Sequence, residues 1–252
     1  MIVSPVLVFV LSLVALWLSA QSGSYLRKQR GTEQPSERED LTVTLTATFT
    51  LLGLVIGFTF SMAATRYDLR KSYEEEEANA IGTEFVRADL LPSADATKVR
   101  ALLKSYLDQR ILSYTTHDTQ RLEQINASTA QLQTSLWSAV QGPAEARPTP
   151  VIALTVSGMN DVLNSQGYAQ AASWNRIPIA AWALMGAIAI FANLLFGYYS
   201  RRPGPKLTHF VSLPLLVAIS FFLIADMDSP RRGVIRVVPQ NLISLSRSLS
   251  TQ

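Results

Sequence analysis

Residues 41–64 read LTVTLTATFTLLGLVIGFTFSMAA and contain no charged side chain. A helix over this run, at about 1.5 Å of rise per residue, is long enough to cross the ~30 Å hydrocarbon core of a bilayer. Its first ten residues alternate threonine with apolar residues, a pattern that taken alone predicts a strand. An isolated strand in lipid leaves its backbone unpaired, whereas a helix pairs its own backbone and lets threonine hydroxyls bond the preceding turn. The run therefore predicts a membrane-spanning helix.

With helical spacing, one face of this run carries only small or hydroxyl-bearing residues. These are Thr46, Thr50, Gly53, Gly57, Ser61 and Ala64. Small residues let two helix backbones approach closely in a membrane. We therefore expect Gly53, Gly57 and Ser61 to pack against another helix.

Three further charge-free runs are long enough to span a bilayer: Ile2–Tyr25, Ile177–Tyr199 and Leu207–Ala225. A cleaved signal peptide is the alternative for the first, but no basic residue precedes it and Leu18-Ser19-Ala20 is a poor cleavage site. The sequence thus predicts an all-α protein with four transmembrane helices.

The charged residues are concentrated between the second and third spans. The chain is 48% hydrophobic and 16% charged, and 24 of its 41 charged residues lie between Thr65 and Arg176. Apolar residues recur there at helical spacing, and Tyr67–Leu91 contains no proline, so we expect helices continuous with the second span. We expect loops at Gly31–Asp40 and Gly142–Pro150. The predicted domains are 1–64 (spans 1 and 2 with a short polar loop), 65–176 (polar helical domain), 177–227 (spans 3 and 4) and 228–252 (C-terminal tail).

Several kinds of chemistry are not predicted. The chain has no cysteine, and His117 and His209 lie 92 positions apart without a metal-ligand spacing, so we expect no metal site and no cofactor. No nucleophile motif or phosphate loop is present, which argues against an enzyme. The net charge is +3, but the polar domain holds 11 basic and 13 acidic residues, so the basic excess flanks the spans. This favours the lipid bilayer as a partner. Nucleic acid is not implied as a partner.

Four segments of the sequence resemble a bacterial family of unknown function described as bestrophin-like. They are Gly53–Asp68 (GLVIGFTFSMAATRYD), Glu77–Gly82 (EANAIG), Arg87–Pro92 (RADLLP) and Ile224–Arg236 (IADMDSPRRGVIR). The resemblance implies a bestrophin-like bundle of four spans with a helical insert. In that family's topology the insert and both termini are cytosolic, in a protein of the bacterial inner membrane.

A more distant resemblance is to the bestrophin channels themselves. Gly57-Phe58 followed by Thr65-Arg66 and Tyr67 is similar to the end of their pore-lining second helix. Bestrophins are pentameric anion channels with an apolar neck, so the resemblance implies a homo-oligomer that conducts inorganic anions. It implies a pore lined by Phe58, Leu54 and Thr50, four residues apart. Thr50 departs from the apolar pattern, and the acidic calcium-binding run of animal bestrophins is missing, so calcium dependence is not implied.

Each charged candidate has a structural alternative. Arg66 and Arg70 would either concentrate anions at a pore mouth or anchor the helix on lipid phosphate. From the residues alone we favour the lipid anchor. Four adjacent carboxylates, Glu74–Glu77, point around the whole helix, so we expect a solvated surface in preference to a cation site. The motif Asp226, Asp228, Arg231 and Arg232 forms a salt-bridged switch or ends the last span at Pro230; we favour the helix end.

Two function classes stay open. The first is a homo-oligomeric anion channel with the second span around the pore. The second is a non-conducting membrane scaffold or sensor whose helical domain binds a partner. Basic residues do not orient the chain, because seven lie on each side: Arg27, Lys28, Arg30, Arg38, Arg201, Arg202 and Lys206 against Arg66, Arg70, Lys71, Arg176, Arg231, Arg232 and Arg236.

Overall fold

The computed structural model describes residues 4–30, 35–200 and 207–251, and every regular element in these ranges is helical. Eight α-helices and one 3₁₀ turn follow in order: α1 Pro5–Arg30, α2 Pro35–Arg87, the 3₁₀ turn Ala88–Leu90, α3 Ser93–Thr115, α4 Thr119–Ala146, α5 Pro150–Trp174, α6 Ile179–Tyr199, α7 Leu207–Asp228 and α8 Gln240–Ser250. Four described helices are long and apolar enough to cross a membrane, within Pro5–Gln29, Glu39–Leu90, Pro150–Tyr199 and Val211–Asp228. The all-α prediction with four spans is confirmed.

The threonine-rich run is part of α2, a single helix of 53 residues. Thr44, Thr46, Thr48 and Thr50 each donate their hydroxyl to the carbonyl four residues earlier, at 2.7–2.9 Å. These bonds satisfy the hydroxyls inside the helix, as expected for threonine in lipid. The expected continuity of the second span with the following polar helix is confirmed.

Both predicted loops are shorter than the sequence indicated. In the first, α2 begins at Pro35, so residues 35–40 are helical and not a loop. Proline is favoured at the first position of a helix, which explains this start. Gly31 to Gln34 lie outside the described residues. Pro143 lies inside α4, which continues to Ala146 because a proline near the helix end removes only one backbone bond. Thr149 caps α5, accepting the backbone N–H of Ile152 at 3.3 Å.

Contacts divide the chain into two compact units. The first comprises the residues up to Arg66 and those from Arg176 to Arg236. In it, α1 and α6 touch through their backbones: a Cβ at Gly197 would clash with the carbonyl oxygen of Ala20, and one at Gly23 would lie 2.8 Å from the nitrogen of Tyr198. Ser19 adds a hydroxyl bond of 2.6 Å to the carbonyl of Ile190. Small residues thus permit this close pair.

The second unit comprises Tyr67–Asn175 together with residues from Val237 onward. Its core is a cluster of fully buried side chains from α2, α3, α4, α5 and α8: Ile81, Leu103, Tyr106, Leu136, Met159 and Leu242. A fully buried leucine, isoleucine or methionine contributes about 1.5–3 kcal/mol through the hydrophobic effect. This core fixes the part of α2 beyond the apolar run.

Candidate pore-lining face and polar anchors

The apolar part of α2 has one buried and one exposed face. Leu52, Thr59 and Ala63 are buried, and Leu52 and Ala63 belong to a core cluster with side chains of the other spans. On the exposed face, 64% of Phe58 and 54% of Leu54 are accessible in the single chain. The candidate pore residues therefore lie where another helix, a conduit or lipid can contact them.

The small-residue stripe shares this exposure. Gly53, Gly57 and Ser61 are exposed, and a Cβ added at either glycine would meet nothing within 4 Å. No helix of the described chain packs on these glycines. Among the described residues nothing makes a close contact at Gly57, and the expected packing role stays a prediction.

Thr50 is less polar on this face than its residue type suggests. Its hydroxyl donates to the carbonyl of Thr46 at 2.9 Å, so the proton is used within the helix. Thr50 also borders a shallow groove of about 610 Å³ along α2, lined by Thr42, Val43, Thr46, Ala47, Thr50, Leu51 and Leu54. Three of these residues are threonines, but the hydroxyls of Thr46 and Thr50 bond back to the helix, so the exposed surface of the groove is mainly apolar and extends that of Leu54 toward the helix start.

The two arginines after the span differ in environment. Arg66 is partly exposed, whereas Arg70 is only 5% exposed. Arg70 is thus enclosed by protein in the single chain and does not present its guanidinium to an open surface. Of the two, Arg66 is the one whose position suits a pore mouth or a lipid phosphate.

The expectation of a solvated Glu74–Glu77 run is wrong for two of its four carboxylates. Glu75 and Glu76 are exposed, but Glu74 and Glu77 are buried. Glu74 accepts the Nδ2 of Asn241 at 2.7 Å and the backbone N–H of Leu242 at 3.0 Å, so it caps the start of α8. A carboxylate at a helix N-terminus is favoured by the unpaired N–H groups there.

Glu77 is the centre of a buried polar network. It forms an ion pair with Arg110 of α3, whose Nη2 also lies 3.4 Å from Oε2, and the hydroxyl of Tyr114 donates to Oε2 at 3.2 Å. Burial opposes the charge of Arg110, but Glu77 together with Tyr106 and Tyr114 outweighs it, and the pKa of the guanidinium is raised. Burial, reinforced by Glu77, raises the pKa of Tyr114, which therefore stays a donor. The network ties α2 to α3.

The comparisons with known proteins decide the family. The sequence matches the family profile described as "Bestrophin-like domain" over residues 6–242. The chain belongs to the bestrophin-like family. Solved structures of a bacterial bestrophin homologue from Klebsiella pneumoniae share the fold of this bestrophin-like protein. A point-substituted form has a TM-score of 0.69 at 12% identity, covering 96% of both chains, and a second structure has a TM-score of 0.67 at 12% identity, covering 98% and 97%. No functionally curated protein matches the sequence.

In the bestrophin-like chain, the acidic motif at the end of the last span binds backbone groups. Both oxygens of Asp226 accept backbone N–H groups, of Val234 at 2.7 Å and Ile235 at 2.6 Å. Gly233 is required beneath this turn, because a Cβ there would lie 2.6 Å from the carbonyl oxygen of Asp226. The carboxylate thus pins the turn that follows α7.

Asp228 secures the start of the third span in a similar way. Its Oδ1 accepts the backbone N–H of Ile177 at 3.1 Å, and its carbonyl accepts Nη1 of Arg176 at 2.6 Å. The backbone N–H of Arg232 donates to the hydroxyl of Ser229 at 3.3 Å. These contacts fit the helix-end interpretation of the motif. Among the described residues, no group of three or more histidine, aspartate or glutamate side chains could hold a metal ion.

Sequence reasoning missed two close contacts that depend on glycine. Gly23 and Gly197 form the α1–α6 contact. The sequence feature that indicates this contact is the pair of small residues Ser19 and Gly23, four positions apart on α1. Gly158 lies against the side chains of Glu84 and Arg87, which a Cβ would displace. The sequence held no sign of this second pair, because α2 and α5 are separated by more than sixty residues.

Proposed function

We propose that this bestrophin-like membrane protein is a homo-oligomeric ion channel in which α2 of each chain lines the pore. The exposed face of α2 carries the proposal. It combines accessible apolar side chains, Leu54 and Phe58, with glycines that no helix of the described chain covers. Lipid contact alone gives no reason for a glycine stripe, whereas a second helix does.

The proposed pore contains one ring of side chains at each of Thr50, Leu54 and Phe58, and the rings of Leu54 and Phe58 are apolar. In a symmetric assembly one residue contributes one ring, and residues four apart on a helix stack along the axis. Phe58, as the bulkiest, sets the tightest constriction, where dewetting resists ion passage. The family resemblance supports a pentamer and anions as the permeant species, and Arg66 just beyond the span supports anion attraction.

The membrane orientation follows the same resemblance. We place the helical domain and both termini on the cytoplasmic side of the bacterial inner membrane. The chain has no cysteine, so a single cysteine at the exposed position Glu75 reports the side directly. A membrane-impermeant thiol reagent should label Glu75→Cys only after the cells are opened; labelling of intact cells would reverse the orientation.

A scaffold that binds a partner through its helical domain is the second candidate. One observation favours it: α2 and α8 border a groove of about 680 Å³ that presents apolar side chains together with polar ones, among them Asn79, Thr83, Asn241 and Ser248. A scaffold needs no conduit, so ion flux separates the two functions.

The deciding experiment compares Phe58→Ala with Phe60→Ala in liposomes. Both changes remove a phenyl ring from α2, but two residues correspond to about 200° around the helix, so Phe60 lies away from the Phe58 face. Chloride and sodium fluxes are measured separately for both variants and the wild type. We expect Phe58→Ala to raise chloride flux severalfold while Phe60→Ala matches the wild type. Equal silence of all three, with native oligomer size, would favour the scaffold.

A further inference from the structure

Glu84 is a buried carboxyl group in the contact between α2 and α5. Its side chain is 0% exposed. Within the part of the chain that the structure describes, neither of its carboxyl oxygens has a protein hydrogen-bond partner. The other buried carboxylates of α2, Glu74 and Glu77, are fully engaged with donors. Glu84 therefore differs from Glu74 and Glu77 in that its buried carboxyl group accepts no hydrogen bond from the described residues.

The side chain occupies space that only a glycine leaves open. A Cβ on Gly158 would overlap Oε2 of Glu84 and would lie 2.6 Å from Nη1 of Arg87. On the same helix, Gly167 has nothing within 4 Å of such a Cβ. The carboxyl group is thus pressed onto the backbone of α5, and Thr155 reinforces the contact by donating its hydroxyl to the carbonyl of Arg87 at 3.3 Å.

We propose that Glu84 is a proton-binding site which holds α2 against α5 in its neutral form and loosens that contact when it ionises. An ionised carboxylate without donors in such a position is costly, whereas a neutral carboxyl group is tolerated. The site lies 20 residues beyond the charge-free run of α2, so it belongs to the helical domain and not to the span.

The surrounding charges agree with a proton as the ligand. Burial is the main cause that raises the pKa of Glu84 to about 8; Arg87 on the same helix opposes the rise, and Asp161 on α5 adds to it. From α3, the cations of Arg100 and Lys104 lie over the ring of Phe85, at 5.0 and 5.6 Å from its centre. Burial thus favours the neutral carboxyl group near pH 7 and shifts its ionisation into a mildly alkaline range.

The sign of the pH effect follows from this shift. Between the ordinary value of 4.5 and about 8, the folded protein keeps a proton that the unfolded chain has released. Stability falls with rising pH wherever the folded state binds more protons, so Glu84 lowers stability across this window and has no further effect above it. Glu84→Gln replaces the carboxyl group with a neutral group of the same shape and removes this dependence.

The test uses thermal unfolding of the full-length protein in detergent at a series of pH values. We expect the unfolding midpoint of Glu84→Gln, relative to that of the wild type, to rise by about 4 °C or more between pH 5 and pH 8. Above pH 8 the difference between the two midpoints should stay constant. The difference between the two curves removes the titration of every other group. A constant difference over the whole range would overturn the proposal.

Infrared spectroscopy supplies a second readout that needs no unfolding and no Gln variant. The C=O stretch of a protonated carboxylic acid should be present in the wild type at pH 7 and vanish with a midpoint near 8. Gly158→Ala, which displaces the side chain, should lose the band at pH 7, whereas the control Gly167→Ala should keep it. A wild type without this band at pH 7 would refute the site. Neither readout measures ion flux, so the result is independent of the proposed channel.

Discussion

Replacing Arg110 with methionine should destabilise the helical domain strongly, because it leaves the buried carboxylate of Glu77 without its cation. Both partners are shielded from water: Glu77 is 0% exposed and Arg110 5%. Breaking a buried pair by removing one partner costs about 3–5 kcal/mol, because the remaining charge is uncompensated. The hydroxyl of Tyr114, 3.2 Å from Oε2, remains as a neutral donor to Glu77, and it offsets a small part of this cost.

The matched control is the ion pair between Arg100 and Asp89, whose side chains are 36% and 58% exposed. Asp89→Asn breaks a pair that water and salt already screen, so it should cost at most about 1 kcal/mol. For a chain of this size each kcal/mol lowers the unfolding midpoint by about 2–4 °C. We therefore expect Arg110→Met to lower the midpoint by roughly 6–20 °C and Asp89→Asn by at most about 4 °C.

The assay is thermal unfolding of the full-length protein in detergent, followed by circular dichroism. The double variant Glu77→Gln with Arg110→Met should recover much of the loss, because no unpaired charge remains. The reasoning fails if Arg110→Met unfolds at the same temperature as Asp89→Asn, or if the double variant is no better than the single one.

Three further outcomes follow from the close contacts and the uncovered face. Gly57→Leu should dissociate the assembly while leaving the chain folded, as light scattering in detergent will show; an oligomer of native size would contradict the packing role. Gly197→Ala should cost about 1–3 kcal/mol by forcing α1 from α6, whereas Gly186→Ala, which meets nothing within 4 Å, should cost less than about 1 kcal/mol in thermal unfolding; equal midpoints would refute the contact. Glu74→Ala should speed protease cleavage of a C-terminal tag because α8 loses its cap, and Glu75→Ala, an exposed neighbour, should not; identical digestion rates would argue against the capping role.

The spans were predictable because lipid leaves a chain few options. A charge-free run that crosses a bilayer must pair its own backbone, so the threonine alternation of residues 41–50 had to be helical. The carboxylates of α2 were a harder case. Glu77, Ile81 and Phe85 lie four residues apart on one face, a sign that Glu77 was buried, yet Arg110, 33 residues away in sequence, could not be inferred as its partner.

The helix α8 was missed for a similar reason. It has only 11 residues, and a helix this short is marginal on its own. It forms where Leu242 enters the core and Glu74, 168 positions earlier, caps its first turn. Such distant contacts leave no local pattern. The pore-lining role of Thr50, Leu54 and Phe58 stays a prediction, because it depends on a second chain.

Thiol block of ion flux tests the central claim, that the exposed face of α2 lines a conduit. The chain has no cysteine, so Phe58→Cys introduces a single reactive site, and Phe60→Cys serves as its control on the same helix. Chloride flux is recorded in liposomes before and after a charged, membrane-impermeant thiol reagent. We predict that the reagent blocks flux through Phe58→Cys and leaves Phe60→Cys and the wild type unchanged. Two results would contradict a pore along this face. One is chloride flux through Phe58→Cys that persists after the reagent, and the other is the absence of chloride flux in all three proteins although their oligomers are intact.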